Sequence, residues 1–174
     1  MKRFGWVLLA ATLLGVCGAN VANAGGNSIG GGLHYLHNLA DIKNSSGIDW
    51  NNDSFGIIGS FQHSTAGLLK LEADVEYIFD FAGSNKSMWI PSGWALAGHM
   101  IYGGAGIGIG HINGDWQSDP FYALRAGVNI PLTKMNLDAF GTYQFQKDDD
   151  LKKLTGEDLD SVTFAAVLRF NLGS

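Results

Sequence analysis

Cysteine is nearly absent from this sequence: the 174-residue chain contains only Cys17, close to its start. Disulfide bonds therefore cannot stabilise the rest of the chain. Beyond residue 24, no apolar run approaches the roughly 18 residues by which a transmembrane helix is recognised. The chain also lacks a run of lysine or arginine, and its formal net charge is −5. An acidic chain without a basic patch is not expected to bind nucleic acid.

Residues 1–24 have the features of a cleaved secretory signal peptide. A short positive head precedes an apolar stretch at residues 6–16, and residues 22–24 read Ala-Asn-Ala, a small-residue cleavage site. The apolar stretch is too short to span a membrane. The sequence therefore predicts an exported protein whose mature part, residues 25–174, forms a single domain.

The mature part shows the period-2 alternation of β-strands. Between residues 68 and 81, odd positions are apolar, whereas the even positions between them are charged except for Ile78. Seven further segments alternate in the same way, some more weakly: 27–37, 53–62, 87–97, 101–111, 121–130, 135–145 and 162–172. Pro91 in the third of these predicts a bulge or another irregularity. The count predicts an all-β fold of eight antiparallel strands.

The connections between these segments alternate in length. Residues 38–52, 112–120 and 146–160 are long connections, and 82–86 is of moderate length. Between them lie 63–67, which is as long as 82–86, and the shorter 98–100 and 131–134. Membrane-spanning barrels have short periplasmic turns and longer external loops, whereas a soluble barrel has no reason to alternate in this way. The predicted fold is an eight-stranded antiparallel up-and-down transmembrane β-barrel, in the outer membrane of a Gram-negative bacterium.

The charged face of the strands must then line the interior of the barrel. A lysine or arginine that faces lipid at the bilayer centre costs about 2–4 kcal/mol. Eight strands leave an interior just wide enough for side chains to fill. We therefore predict a polar network of lumen side chains, comprising Lys70, Glu72, Asp74, Glu76, Arg125, Asp138 and Arg169. A narrow channel for ions or small solutes is the alternative interpretation of the same residues.

Aromatic residues cluster where strands approach the external rim. Ring side chains at this depth form the interfacial girdle of membrane barrels. The predicted girdle contains Tyr77, Phe79, Phe81, Tyr143 and Phe145.

The chain resembles the small eight-stranded outer-membrane proteins of the OmpA/OmpX type. The resemblance rests on the Ala-Asn-Ala cleavage site, the glycine-rich segment 28–35, the glycine alternation of 104–110 and the closing segment 162–172. It implies insertion by the barrel-assembly machinery, which reads a terminal Phe in such proteins. Here Phe170 is followed by four residues, a departure from that pattern, and is the candidate assembly signal. The members of this family differ in activity, so the resemblance implies an architecture rather than a reaction.

Loops are the expected place for function on such a scaffold. The candidate contact residues are Trp50, Trp116, Asp148, Asp149 and Asp150. The two tryptophans are either partner contacts or interfacial anchors at the rim. The expected function is envelope integrity or surface interaction by a monomer, with outer-membrane lipid and lipopolysaccharide as its surroundings.

Catalysis, cofactor binding and metal binding are not expected. His63 and Ser64 are adjacent, but they fall in a predicted periplasmic turn, away from the outer leaflet. His37 and His111 lie near the outer rim on opposite sides of the predicted barrel, so no base–nucleophile–orienter set assembles. An outer-leaflet lipid-modifying enzyme remains the third functional hypothesis. The repeated glycines at 104–110 have a period of two and open no helix, so we interpret them as lumen space for bulky neighbours or as an aid to curvature.

Overall fold

Ten strands make up the regular structure of the computed structural model, which describes residues 26–39, 53–65, 68–80, 86–112, 114–117, 119–133, 135–145 and 160–172. Eight of them form the barrel: β1 (Asn27–Asn38), β2 (Asp53–Ser64), β3 (Leu69–Phe79), β4 (Met88–Gly98), β5 (Ile101–Gly108), β8 (Phe121–Pro131), β9 (Met135–Phe145) and β10 (Ser161–Asn171). The other two, β6 (His111–Ile112) and β7 (Asp115–Trp116), form a short hairpin between β5 and β8. The predicted signal peptide lies outside the described residues.

The barrel closes because β1 pairs with β10 and each remaining barrel strand pairs antiparallel with its neighbours. Following paired positions once round the barrel from Ser28 leads back to β1 at Asn38, ten residues further on. Such a stagger requires tilted strands, as closure of a sheet into a barrel demands. The predicted eight-stranded antiparallel barrel is confirmed.

The alternation of side chains separates an inner from an outer face. In β3, Glu72, Asp74 and Glu76 are buried in the lumen, whereas Leu71 and Val75 point outwards and are 40% and 46% exposed. Most of the exposed large hydrophobic residues of the other barrel strands likewise lie on the outer face. A buried polar interior inside an apolar outer surface is the arrangement of a barrel that faces lipid.

Connection lengths differ between the two ends of the barrel. At one end the strands are joined through residues 39–52, 80–87, 109–120 and 146–160, and at the other through 65–68, 99–100 and 132–134. The predicted alternation of long and short connections is confirmed. We refer to the end with long connections as the outer end.

Pro91 acts differently from its predicted role. β4 is continuous through Pro91, and its pairing with β3 continues without a register shift. The interruption appears in the neighbouring strand instead: β5 ends at Gly108, and pairing with β4 resumes only at His111, in β6. The amide of Ile109 donates to the carbonyl of Pro91, but proline has no N–H to donate in return. The predicted single strand 101–111 was therefore wrong at its outer end.

Small residues occupy the middle of the lipid-facing surface. Every barrel strand places a glycine or alanine at or next to its central outward position: Gly31, Gly59, Ala73, Gly93, Ala105, Ala126, Ala139 and Ala166. We refer to these eight small residues as the waist. Larger apolar side chains such as Leu33, Ile57 and Leu124 lie between the waist and the outer end. Between β5 and β10 the surface is hollowed into an open groove of about 520 Å³.

Candidate functional site

Arg125 lies at the centre of an ion cluster that crosses the lumen. Its Nη1 donates to Glu72 Oε1 and its Nη2 to Asp74 Oδ2, each over 2.8 Å, although β8 and β3 are not neighbours in the sheet. Its Nε donates to the Thr142 hydroxyl at 3.2 Å. The two carboxylates on β3 thus each receive one charge-assisted hydrogen bond from a guanidinium that extends from β8.

Aromatic rings enclose the same guanidinium. The Trp94 ring lies 3.7 Å from Arg125 Cζ, and the Phe140 ring lies 3.9 Å from it. Both distances are within the range of cation–π attraction. The Arg125 side chain is fully buried, so the rings replace water around its faces while the carboxylates satisfy its edges.

Arg169, on β10, extends the cluster towards the end of the barrel that has the short connections. It donates from Nε to Asp138 Oδ2 at 2.7 Å, from Nη2 to Glu72 Oε1 at 2.8 Å and from Nη1 to the Ser60 hydroxyl at 2.6 Å. Glu72 therefore bridges the two arginines. Arg169 and its three partners thus join four barrel strands: β2, β3, β9 and β10.

Further polar groups complete the cluster. Gln62 donates to Glu72 at 2.5 Å, and the Tyr102 hydroxyl donates to Asp138 at 2.6 Å. Lys70, nearer the end with short connections, donates to the carbonyl of His99 and lies 4.9 Å from the Tyr102 ring. Five of the seven predicted lumen residues thus form one connected cluster, while Lys70 sits at its edge and Glu76 lies apart from it.

Glycines on the lumen face make room for the large rings. A Cβ at Gly106 would lie 2.3 Å from the Trp94 ring, and one at Gly108 would lie 2.4 Å from the Phe121 ring. Since real Cβ atoms do not approach so closely, these positions accept only glycine without movement of a neighbour. The predicted role of the glycine repeat as lumen space fits this packing.

Above the ion cluster, towards the outer end, the lumen is filled by apolar side chains. This outer plug consists of Leu36, Ile78, Met88, Ile90 and Phe121, each at most 3% exposed. All five lie on inward positions near the outer ends of their strands. The described lumen therefore contains two consecutive layers of buried side chains, one ionic and one apolar.

A second polar group stands on the outer surface at the outer rim. Asp53 Oδ1 accepts from the Tyr35 hydroxyl and contacts His37 Nδ1, both at 2.7 Å. The pair of His37 and Asp53 is about half exposed. A carboxylate beside Nδ1 orients an imidazole, but no serine, threonine or cysteine side chain contacts His37 in the described part of the chain.

Aromatic side chains surround the outer rim. Tyr77 contacts both Phe79 and Trp89, and Tyr143 contacts Phe145, with ring centroids 4.6–5.1 Å apart. Trp116, in the β6–β7 hairpin, is 58% exposed and packs edge-on against His111.

Phe170 faces outwards near the end of β10, 48% exposed. The remaining predicted positions lie outside the described residues: Trp50, Phe81, Asp148, Asp149 and Asp150.

Several residues of these sites were not predicted from the sequence. His34, Gln62, Trp94, Tyr102 and Phe140 all line the lumen. Four of them, His34, Gln62, Tyr102 and Phe140, share the parity of the polar or glycine positions of their own strands, so alternation contained a signal for them. Trp94 had none, because in β4 the large apolar side chains Met88, Ile90 and Leu96 also face the lumen. Among the described residues, no group of three or more metal-ligating side chains has a suitable arrangement, and no helix is long and apolar enough to cross a membrane.

No family model and no curated protein matches the chain. Solved structures do. The neisserial surface protein A structure matches with a TM-score of 0.60 and 12% identity, covering 85% of this chain and 99% of that one. The Ail protein of Yersinia pestis, solved with a heparin analogue, matches with a TM-score of 0.49 and 16% identity over 86% of this chain and 100% of that one. At 12% identity the first likeness shows the fold alone, a small membrane β-barrel. The narrower OmpA/OmpX-type assignment stays a prediction.

Proposed function

We propose that this protein is a monomeric outer-membrane barrel whose lumen is closed by its own side chains. It acts without catalysis, and it serves envelope integrity or surface interaction through its extracellular loops. Its surroundings are outer-membrane lipid and lipopolysaccharide, and the barrel-assembly machinery inserts it, as in OmpA/OmpX-type proteins.

The observation that carries the proposal is the buried ion cluster. The side chains of Glu72, Asp74, Arg125, Asp138 and Arg169 are all fully buried, although together they form the most polar region of the lumen. A conducting pathway would keep such charges in contact with water. Here they contact one another, and the outer plug closes the lumen a second time.

With the lumen closed in this way, the surfaces that remain for function are the outer end and the rim. The long connections all lie at that end, and loops on rigid scaffolds commonly carry binding function. Trp116 supplies an exposed ring there, on a hairpin that β6 and β7 hold in place. These features support an interaction surface above the membrane rather than a pathway through it.

Single-channel recording of the refolded mature chain, residues 25–174, in a planar bilayer tests the closed lumen. The same preparation must show the heat-shifted gel mobility of a folded barrel. We expect no steady conductance. A steady conductance that changes in Glu72→Gln or Asp74→Asn variants would make the protein a channel and overturn the proposal.

A second measurement tests the alternative that the protein is an enzyme that modifies lipids of the outer leaflet. The oriented His37–Asp53 pair is the feature that would serve such a reaction. We expect the mass of lipid A to be the same in cells with the gene and in cells without it. A changed mass that reverts in a His37→Ala variant would replace the non-enzymatic proposal with an enzyme.

A further inference from the structure

The open groove between β5 and β10 is a concave part of the lipid-facing surface, with a volume of about 520 Å³. Small outward residues of β8 and β9 form its floor: Ala126, Ala139 and Gly141. Larger apolar side chains, 41–78% exposed, stand around this floor: Ile101, Val128 and Phe164. The outside of a closed barrel is otherwise convex, so the groove offers a shape that the surrounding surface does not.

The side chains that line the groove in the described structure are apolar or turn away from it. Tyr102 contributes to the lining, but its hydroxyl lies in the lumen and donates to Asp138. The backbone beneath the groove belongs to paired strands, because β9 pairs continuously with β8 on one side and with β10 on the other. A polar ligand or an added β-strand would therefore find no hydrogen-bond partner here. An occupant of the groove has to be apolar.

A second copy of the chain is a poor occupant because of its shape. In a twofold dimer the same patch of both copies meets, and two concave patches placed face to face enclose a void. Atoms that line a void lose their packing contacts. A hydrocarbon chain is narrow and flexible, and it can follow the floor of a groove. The groove is also continuous with the apolar surface that contacts lipid.

The residues of β9 indicate the leaflet from which such a chain enters. From Ala139 towards the outer end, the next outward residue is Gly141, whereas towards the other end it is Leu137. Ile101, the first residue of β5, also stands on the side with short connections. The floor is thus extended towards the outer leaflet and bounded by branched side chains on the opposite side. In a Gram-negative bacterium the lipid of the outer leaflet is chiefly lipopolysaccharide.

We propose that this groove binds an acyl chain of lipopolysaccharide, and that this lipid stays with the barrel when the surrounding membrane is removed. The inference rests on the proposed placement in the outer membrane. Inside a bilayer, the chain is held by close van der Waals packing rather than by transfer out of water. Binding therefore depends on the shape of the groove, and a large side chain that fills the groove should abolish it.

Lipid retained by the purified barrel tests the site. The full sequence is expressed, and the barrel is extracted from outer membranes in mild detergent and washed until its lipid content is constant. Mass spectrometry then measures the remaining lipid, with the hydroxylated acyl chains of lipid A as the marker of lipopolysaccharide. We expect the unaltered barrel to retain lipopolysaccharide and Ala139→Phe to lose it. Ala73→Phe, at the waist on β3 and outside the groove, is the matched control and should retain it.

Heat-shifted gel mobility shows whether each variant is folded. If Ala139→Phe does not fold, Ala126→Leu fills the groove from β8 and takes its place in the comparison. Equal retention by the groove variant and by Ala73→Phe would overturn the proposal, as would retention of phospholipid in place of lipopolysaccharide. A folded barrel in the outer-membrane fraction that retains no lipid would overturn this inference alone. Absence of the barrel from that fraction would overturn the proposed function as well.

Discussion

Replacement of Arg125 by lysine would keep the positive charge of the lumen and remove the forked geometry. The guanidinium reaches Glu72 and Asp74 from two separate nitrogens, each over 2.8 Å, whereas an ammonium has one nitrogen and cannot reproduce this fixed planar spacing. It also lacks the flat faces that pack against Trp94 and Phe140. The substitution therefore tests geometry separately from charge.

The magnitude follows from the contacts that are lost. A hydrogen bond to a charged group contributes about 1.5–3 kcal/mol. A cation–π contact contributes about 0.5–2 kcal/mol. Loss of one bond and one ring contact predicts that the free energy of unfolding falls by about 2–5 kcal/mol. Denaturant titration of the barrel in lipid vesicles, followed by tryptophan fluorescence and gel mobility, measures this change.

Lys70→Arg is the reverse exchange at the edge of the cluster and serves as the control. Lys70 is partly exposed and donates to a backbone carbonyl, so its exchange should alter stability by no more than about 0.5 kcal/mol. If Arg125→Lys were as mild as this control, the ion cluster would not depend on the guanidinium fork, and the account of the closed lumen would need revision.

Two further substitutions test other parts of the barrel. Gly106→Ala should destabilise the barrel, because its Cβ would lie 2.3 Å from the Trp94 ring, whereas Gly103→Ala, with its nearest neighbour at 3.5 Å, should be tolerated. Denaturant titration compares the two variants. Equal stability would refute the view that Gly106 leaves room for the Trp94 ring. Phe170→Ala should reduce the amount of folded barrel in cell membranes but leave refolding of the purified chain nearly unchanged, since the ring faces outwards at 48% exposure. Membrane yields that equal those of the unaltered protein would show that Phe170 is not the assembly signal.

Alternation along β3 was sufficient to separate its inward from its outward residues. Glu72, Asp74 and Glu76 differ in parity from Leu71 and Val75, and a side chain in a strand has only two faces to choose from. The stagger of the barrel could not be obtained in this way, because it depends on how strands align rather than on any one of them. The partners of Glu72 and Asp74 were therefore conjecture until the arginines on β8 and β10 were placed.

Contacts between residues of neighbouring strands also could not be predicted from the sequence. The end of β5 lies beside Pro91 of β4, which has no N–H to donate to it, and the sequence of β5 itself contains no sign of this neighbour. Asp53 lies beside Tyr35 and His37 only because of the β1–β2 register.

The waist of glycine and alanine residues determines how much room the protein takes from the lipid at each depth. Bulky side chains such as Leu33 and Ile57 widen the protein above the waist, while Gly31, Gly59 and Ala166 leave it slender at mid-height. Acyl chains from the two leaflets end at the same depth, and their terminal segments can move inwards against the backbone there. Along the membrane normal, the protein is therefore narrowest at mid-height. Displacement along this direction, either way, would press its wider parts into the space that the ends of the acyl chains occupy. Shape, as well as the aromatic girdle, resists such movement.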